Sequence, residues 1–590
     1  MEKKWIINEP TPDAFYKEHP EISKPVADLL YQRGLTDQQA IDEFLYPDYS
    51  CHVHDPFLFS QMHKATDRIL EAVKNGEHIV VYGDYDADGV CASVIITSTL
   101  QQFGATKITN FLPHRETDGY GLNEKNIHFF AQDGVKLIIT CDCGISNAPE
   151  VALAKTHGID VIVTDHHTIP ETLPEAFAIL HPKLDSESYP DHTLAGGGVA
   201  FKLAQGLLQK HANSGHELVS GETHEAFEKW LLDMVAISSV ADMVPLLGES
   251  RTLTKYGLIV LQKTRRIGLQ KLYLEAGILH EDGTFKREID AGTIGFQIAP
   301  RINAAGRLDH SNVAFKLLMT EDPIAATDLA FALENNNSER KQLTKEYLEQ
   351  AVEQIETTGK DEKPILIVHN ENWSSGLVGL IASRLMDKYH KPAIATTLRD
   401  GQIVGSGRSL DSFNMIGALQ SMPELFTKFG GHPCACGFTL ADNNQYQEFK
   451  DRLYTLHKKQ TQNMDLSPAL IIDAIVDLDD VNWELYDTLL SFEPFGMDNP
   501  QPLYGAKHVE VFKVESLGKD KNHLKLTLKT PTGKLKTALG WRMCGSDTDT
   551  NWCTLLKTGD QIDVAFELES NEWNGNKELR IKIVDLKKSK

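Results

Sequence analysis

Long apolar runs are missing from this chain. No segment approaches the ~18 uninterrupted apolar residues that a membrane-spanning helix requires, and the charged opening Met1–Pro10 has no apolar stretch behind it. A cytoplasmic protein with no membrane partner is therefore expected. Cysteine is scarce: the eight (Cys51, Cys91, Cys141, Cys143, Cys434, Cys436, Cys544, Cys553) include two Cys-x-Cys pairs but none with the Cys-x2-Cys spacing of common zinc sites. Reduced thiols, partly buried as small hydrophobes, are expected. Positive charge is in deficit, with 59 Lys and Arg against 83 Asp and Glu and a net charge of -24. Such a balance excludes indiscriminate binding to polyanions. It leaves room for a local basic groove or bound divalent cations, because fields are screened over about 8–10 Å at ordinary salt.

The 590 residues are too many for one core and should divide into several domains. From about Ala65 to Ala200, short apolar runs (HIVVYGD, KITNFLP, KLIITCD, DVIVTDHH, FAILHP) alternate with amphipathic stretches, the rhythm of β-α-β units around a buried parallel sheet. Three of these runs end at Asp84, Asp142 and Asp165, and ligands of open α/β sheets bind outside the carboxyl ends of strands. From Pro323 to Thr358 the pattern is long, charged and amphipathic, which predicts a solvated connecting helix. A second α/β pattern starts at PILIVHN and carries two Gly-rich stretches, GSGRS and FGGHPCACG. Beyond about Met464, alternating strands predict a small β-barrel. Its last part, from Gly505, holds 16 Lys and Arg against 12 Asp and Glu, mildly basic in an acidic protein.

The chemistry-bearing residues begin with VVYGDYDADGV, which superficially resembles an EF-hand opening. The twelfth position of that loop, where a bidentate Glu is needed, is Ile95, and an apolar strand rather than a helix precedes it, so the calcium reading fails. A carboxylate cluster (Asp84, Asp86, Asp88) remains on a strand-to-helix turn, with Gly89 permitting the turn. Asp142 in LIITCDCGIS and Asp165-His166-His167 in VIVTDHHTIP also follow strongly apolar strands. A buried strand end is an expensive place for a carboxylate unless a cation offsets its desolvation. Asp242 in VADMVPL, taken alone, reads as a cap or a lone salt bridge. Mixed carboxylate and imidazole donors suit Mn²⁺ or Mg²⁺, and this many carboxylates can hold two ions.

The set GDYDADG, TCDCG, TDHH and VADMVPL resembles the four motifs of the DHH phosphoesterase superfamily, in the same order. PHRETDGYGL, GFQIAPRINAAGRLDH, the GSGRS/GGHPCACG pair and FEPFGMDNPQP resemble, more narrowly, the RecJ family of single-strand-specific DNA exonucleases. The implied layout is an N-terminal segment over 1–60, a DHH phosphoesterase domain over 61–322, a connecting helix over 323–360, a DHH-associated α/β domain over 361–463 and an OB-like barrel over 464–590. The resemblance implies that Asp86, Asp88, Asp142, His166 and Asp242 are metal ligands, with Asp142 bridging two Mn²⁺ or Mg²⁺ ions. It implies that Asp84, Asp165 and His167 support them or contact the scissile phosphate.

Arg115, Arg301 and Arg307 lie in Gly-rich or Pro-bounded segments where a planar guanidinium can fork onto phosphate oxygens, and Asn303 shares that stretch. Ser406 and Arg408 offer a hydroxyl, a guanidinium and glycine-exposed backbone N–H groups, a set suited to a terminal phosphate. By similarity they and Arg115 hold the 5′ phosphate, with His432 on the same wall. In the barrel, Lys519, Lys521, His523 and Lys525 alternate around Leu524 and Leu526, with Trp541 nearby, which predicts a strand face for a single strand's backbone. One departure is visible: Ser374 follows the tryptophan of WSSGLVG, where the family often carries His or Asn.

The implied activity is 5′ to 3′ hydrolysis of single-stranded DNA to 5′-mononucleotides by two-metal phosphodiester hydrolysis, in DNA repair and recombination, with a helicase and a single-strand-binding protein as implied partners. Two alternatives stay open. One is a DHH phosphodiesterase acting on short oligonucleotides or cyclic dinucleotides; the other is a non-catalytic DHH scaffold.

Overall fold

A computed structural model describes residues 3–545, 550–573 and 576–589. The chain resolves into two compact units. One comprises Met1–Val53, Pro245–Thr252 and Ser467–Lys590; the other comprises His54–Val244 and Leu253–Leu466. No helix among the described residues is long and apolar enough to cross a membrane.

The larger unit holds two sheets. In the first, five parallel strands stand in the order Ile108–Phe111, His78–Gly83, Val135–Cys141, Asp160–Thr164, Ala178–Leu180. Numbered along the chain this is 2-1-3-4-5, so the winding direction reverses between the strand His78–Gly83 and the strand Val135–Cys141. The crevice outside the strand ends at such a reversal is where open α/β sheets bind ligands. These strands are buried almost without interruption because helices cover both faces, which is why they read as unbroken apolar runs.

The helix Pro323–Thr358 joins the two sheets. It starts at Asp322, whose side chain accepts from Ile324 N–H, and ends at Gly359 in the left-handed conformation. It is less solvated than expected: Ala326, Ala330, Leu333, Asn337, Ala351 and Ile355 are buried along one stripe. The second sheet runs Phe426–His432, Ala435–Leu440, Gln402–Arg408, Ala393–Arg399, Leu366–His369, antiparallel except for its last pair.

The smaller unit is a closed barrel. Its strands Tyr504–Leu517, His523–Lys529, Leu535–Gly540, Gln561–Trp573 and Asn576–Lys588 pair as 1-2-3-5-4-1, and the pairing of the third with the fifth is parallel. This is the OB topology. The first fifty residues belong to the same core: Phe15, Val26, Leu30, Ile41 and Phe44 cluster with Tyr504, Leu526, Ile562 and Ile581. Lys4–Ile7 adds a parallel strand to Ala469–Ile472. Arg251, 1% exposed, ties the unit together by donating to the carbonyls of Phe44, Ser491, Phe492, Glu493 and Pro494.

Two expectations need correction here. The thiols are not all reduced, because Cys544 and Cys553 form a disulfide with a Cα separation of 5.4 Å. Trp552 N–H donates to Met543 O and brings the two together. The lysine alternation also fails in part. The strand begins only at His523, and Lys521 sits at φ 52°, so Lys519 and Lys521 stand in a turn rather than on a strand face. His523 and Lys525 remain on the strand, on the face opposite buried Leu524 and Leu526.

Candidate metal centre

The carboxylates that end the first and third strands along the chain flank the topological switch point. Asp84 terminates the strand His78–Gly83, and its Oδ1 is buried without a hydrogen-bond partner. Two residues on, Asp86 caps the helix Ala87–Gln102, its Oδ1 accepting from Asp88 N–H at 3.0 Å and Gly89 N–H at 3.1 Å. Asp88, 1% exposed, is held by a second helix N-terminus: it accepts from Gly196 N–H at 2.8 Å, Gly197 N–H at 2.7 Å and Ser238 Oγ at 2.5 Å. Gly196 cannot be replaced cheaply, since a Cβ there would lie 2.5 Å from the Cβ of Asp142.

Asp142 is 2% exposed and adopts φ 63°, a left-handed conformation that few non-glycine residues accept. Its Oδ1 is another buried acceptor without a hydrogen bond, 3.2 Å from His166 Nε2 and 3.7 Å from His167 Nδ1. His166 Nε2, likewise without a hydrogen bond, faces three carboxylates: Asp142, Asp242 Oδ2 at 3.4 Å and Asp88 Oδ2 at 3.6 Å. Asp242 reaches the cluster from the C-terminal end of the helix Leu232–Ala241.

Asp165 behaves differently. Its Oδ1 accepts from the N–H groups of His166 (2.7 Å) and His167 (3.1 Å) and from His167 Nδ1 (2.8 Å), while Oδ2 accepts from Ile145 N–H (2.9 Å). Three groups of potential ligand atoms each lie within 4.8 Å of one another: Asp84, Asp86 and Asp142; Asp88, His166 and Asp242; Asp142, His166 and His167. Asp84 is thus gathered with the candidate ligands rather than standing behind them, whereas Asp165 is spent on the turn itself.

Electrostatics follow from burial. Desolvation, then the neighbouring Asp86, pushes Asp88 up to about 6, and desolvation, then Asp88, pushes Asp242 up to about 8. Asp84 and Asp142 lie well above the usual carboxylate range, again by burial first and by neighbouring aspartates second. Burial pulls His166 down to about 3, which leaves a neutral imidazole. For Asp165, burial opposes ionisation but the bonds from His167 outweigh it and hold the carboxyl below its ordinary value; the same contact lifts His167 to about 9 against its own desolvation.

Beside the carboxylates lies a cluster of opposite sign. Arg307 donates to Gly376 O at 3.0 Å, and burial, then Arg115, Arg340 and Arg408, pulls its guanidinium down to about 9. Arg115 lies 3.9 Å over the ring of Tyr85 and donates to Gly306 O, while Arg408 donates to Ser406 Oγ at 3.0 Å. None of the four is ion-paired among the described residues. His432, from the second sheet, is near enough to His167 and Lys183 that, after burial, their charges lower it further.

Two residues expected at the substrate are occupied elsewhere. Arg301 is buried, with Nε on Glu334 at 2.5 Å and Nη1 on Gln297 O at 2.6 Å, because the helix Pro323–Thr358 supplies a carboxylate that sequence spacing does not reveal. Asn303 Oδ1 accepts from Ala87 N–H at 2.8 Å and so braces the start of the helix Ala87–Gln102. Lys519, Lys521 and Lys525 belong to the barrel unit.

Sequence reading missed Arg340, whose buried Nε lacks a partner, and Tyr120, whose hydroxyl lies 3.1 Å from His167 Nδ1 and donates to Asp142 O. It also missed Gly196 and Gly197; the run LAGGGVAF was the available signal.

Comparison with known proteins agrees with this geometry. Residues 78–238 match the DHH family N-terminal domain, 362–459 the DHHA1 domain and 472–585 the RecJ OB domain. The chain is 34% identical over 586 residues to the single-stranded-DNA-specific exonuclease RecJ of Bacillus subtilis, covering 99% of this chain and 70% of the relative. It is 31% identical to the Escherichia coli protein of the same name, covering 89% and 90% of the two chains. The crystal structure of RecJ in complex with Mn²⁺ from Thermus thermophilus superposes with a TM-score of 0.81 at 27% identity, covering 100% of this chain and 80% of that one; the Mg²⁺ complex gives 0.75 at 25%, covering 100% and 79%. By its three matched domains and its identity along almost its whole length, the chain belongs to the RecJ family of DHH exonucleases.

Proposed function

We propose that this protein is a Mn²⁺- or Mg²⁺-dependent exonuclease that degrades single-stranded DNA from the 5′ end to 5′-mononucleotides. One observation carries the reading. Asp84 Oδ1, Asp142 Oδ1 and His166 Nε2 are buried, unpaired by hydrogen bonds and gathered with three further carboxylates, a set that bound cations compensate.

Asp84, Asp86 and Asp142 would hold one ion, and Asp88, His166 and Asp242 a second, with Asp142 shared. When bound, such cations supply positive charge that activates water and offsets charge developing on the scissile phosphate and leaving oxygen. Asp165 accepts from His167 Nδ1 and thereby keeps that imidazole protonated and fixes its orientation. Ser406, Arg408, Arg115 and Arg307 would bind the terminal phosphate and so set polarity and step size.

The barrel would bind the strand's backbone and bases without reading sequence. Action in the cytoplasm, roles in repair and recombination, and cooperation with a helicase and a single-strand-binding protein belong to the same proposal, as do the domain limits at about 60, 322, 360 and 463. End-labelled single strands and blunt duplexes with Mn²⁺ test it. Single strands should be degraded with early loss of the 5′ label; equal digestion of duplex rejects strand selectivity, and early loss of the 3′ label rejects the polarity.

A further inference from the structure

The segment after the strand Ala178–Leu180 makes a set of contacts that no role above requires. The strand lies parallel to Asp160–Thr164, with Thr164 opposite Leu180, so its continuation His181-Pro182-Lys183 runs alongside Asp165-His166-His167. His181 is fully buried. Its Nδ1 accepts the N–H of Lys183 at 3.1 Å, which places the ring proton on Nε2, and Nε2 then donates to His167 O at 2.9 Å. Lys183 Nζ donates to His166 O at 2.5 Å. Pro182, between them, is itself held by His192 Nδ1 on its carbonyl.

With the N–H groups of His166 and His167 already on Asp165 Oδ1, every peptide group around the two imidazoles is now fixed. The turn can neither rotate nor slide without leaving a buried carbonyl or N–H unpaired. The ammonium of Lys183, an otherwise exposed side chain, is spent on a neutral carbonyl here, although Asp165 and Asp242 are near enough to act on its charge.

We infer that His181 and Lys183 are positioning residues: they brace the turn that aims His166 Nε2 into the carboxylate cluster, and so set metal affinity rather than DNA affinity. The inference rests on the metal-site reading of that cluster. Partners of this kind behind a metal ligand change metal affinity by roughly 10- to 100-fold when removed.

The experiment uses the full-length protein and Mn²⁺ alone, by titration calorimetry, with melting curves confirming folding and steady-state kinetics on single-stranded DNA alongside. Lys183→Met should weaken Mn²⁺ binding about tenfold and lower kcat, leaving KM for DNA within about twofold, and Lys183→Arg should recover most of the Mn²⁺ affinity. His181→Asn, which keeps an N–H donor, should stay near wild type, and His181→Leu should resemble Lys183→Met. Should Lys183→Met fail to fold, Lys183→Gln carries the same comparison. Wild-type Mn²⁺ affinity in Lys183→Met, or no recovery in Lys183→Arg, overturns the inference. Asp142→Ala separates the two readings: if it loses Mn²⁺ binding while Lys183→Met does not, only the brace is rejected, and if it binds Mn²⁺ normally, the metal site itself is rejected.

Discussion

Two regions of the larger unit carry like charges that the fold leaves uncompensated, and they are opposite in sign. At the switch point, Asp84, Asp86, Asp88, Asp142 and Asp242 crowd around a neutral His166. On the other side, Arg115, Arg340 and Arg408 surround Arg307, and none of the four has an ion pair among the described residues. Moving a charged group out of water costs several kcal/mol after relaxation, so neither cluster exists for stability. The fold could have paired them directly, as it pairs Arg301 with Glu334. Keeping them apart leaves room for a ligand that is anionic at one end and brought to cations at the other, and a terminal phosphate one nucleotide from a scissile phosphate has that character.

Removing Asp142 should break this comparison most severely. It belongs to two of the three ligand groups and holds a left-handed backbone for that purpose. Asp142→Ala should lose several kcal/mol of transition-state stabilisation, on the order of a thousandfold in kcat, with a melting temperature no lower than wild type without metal. Near-normal turnover would remove Asp142 from the site. The cationic side should respond less. Arg408→Ala gives up one charge-assisted phosphate contact, about 1.5–3 kcal/mol or roughly 10- to 100-fold in kcat/KM on 5′-phosphorylated DNA. The same variant should lose little on 5′-hydroxyl DNA; equal losses on both substrates would detach Arg408 from the terminal phosphate.

The two sides differed in legibility for a physical reason. Carboxylates at the ends of buried parallel strands announce themselves, because an apolar run that stops at Asp84, Asp142 or Asp165 is a local pattern. Arginines are used by whatever approaches them in three dimensions: Arg301 looked the same as Arg307 in its segment, yet Glu334, thirty-three residues on, claims it. The lysines of the barrel were misplaced because alternation was extended through a turn that Lys521 makes at positive φ. The barrel's sharing of a core with the first fifty residues was invisible, since contacts spanning most of the chain leave no periodic trace. The brace at His181 and Lys183 was hidden likewise, as it depends on which strand neighbours which.

Metal removal sharpens the comparison through pH. Asp88 and Asp242 titrate at about 6 and about 8 in the folded metal-free protein, above their unfolded value, and His167 at about 9 does the same. Between pH 6 and 8.5 these three groups therefore hold more protons in the folded state than in the unfolded one, whereas buried His166 holds fewer. Stability from these groups is complete below their unfolded values and is lost as pH rises through the folded ones. Raising pH from 6 to 8 should therefore cost the metal-free wild type more melting temperature than it costs Asp242→Asn, which lacks the group at about 8. Mn²⁺ at a hundredfold excess over Kd should restore about 2.7 kcal/mol at either pH, with Kd itself tighter at pH 8 because fewer protons must be displaced. A metal-induced shift in melting that shrinks with rising pH at fixed Mn²⁺ would contradict the carboxylate cluster as the binding site.

The smallest effect belongs to the barrel, where charge is exposed and partly answered. Lys525 stands opposite Glu515 in the register of the first two barrel strands, and Glu515 is held below its usual range first by Lys513 and, after burial opposes it, by Lys513 and Lys525 charge. Part of what Lys525 offers a phosphate is already spent on a neighbour, and exposed ionic contacts are worth about 0–1 kcal/mol. Lys525→Ala should therefore raise KM on single-stranded DNA by no more than about fivefold and leave kcat unchanged. A fall in kcat would mean that Lys525 acts on the chemistry or on the stability of the protein rather than on strand binding.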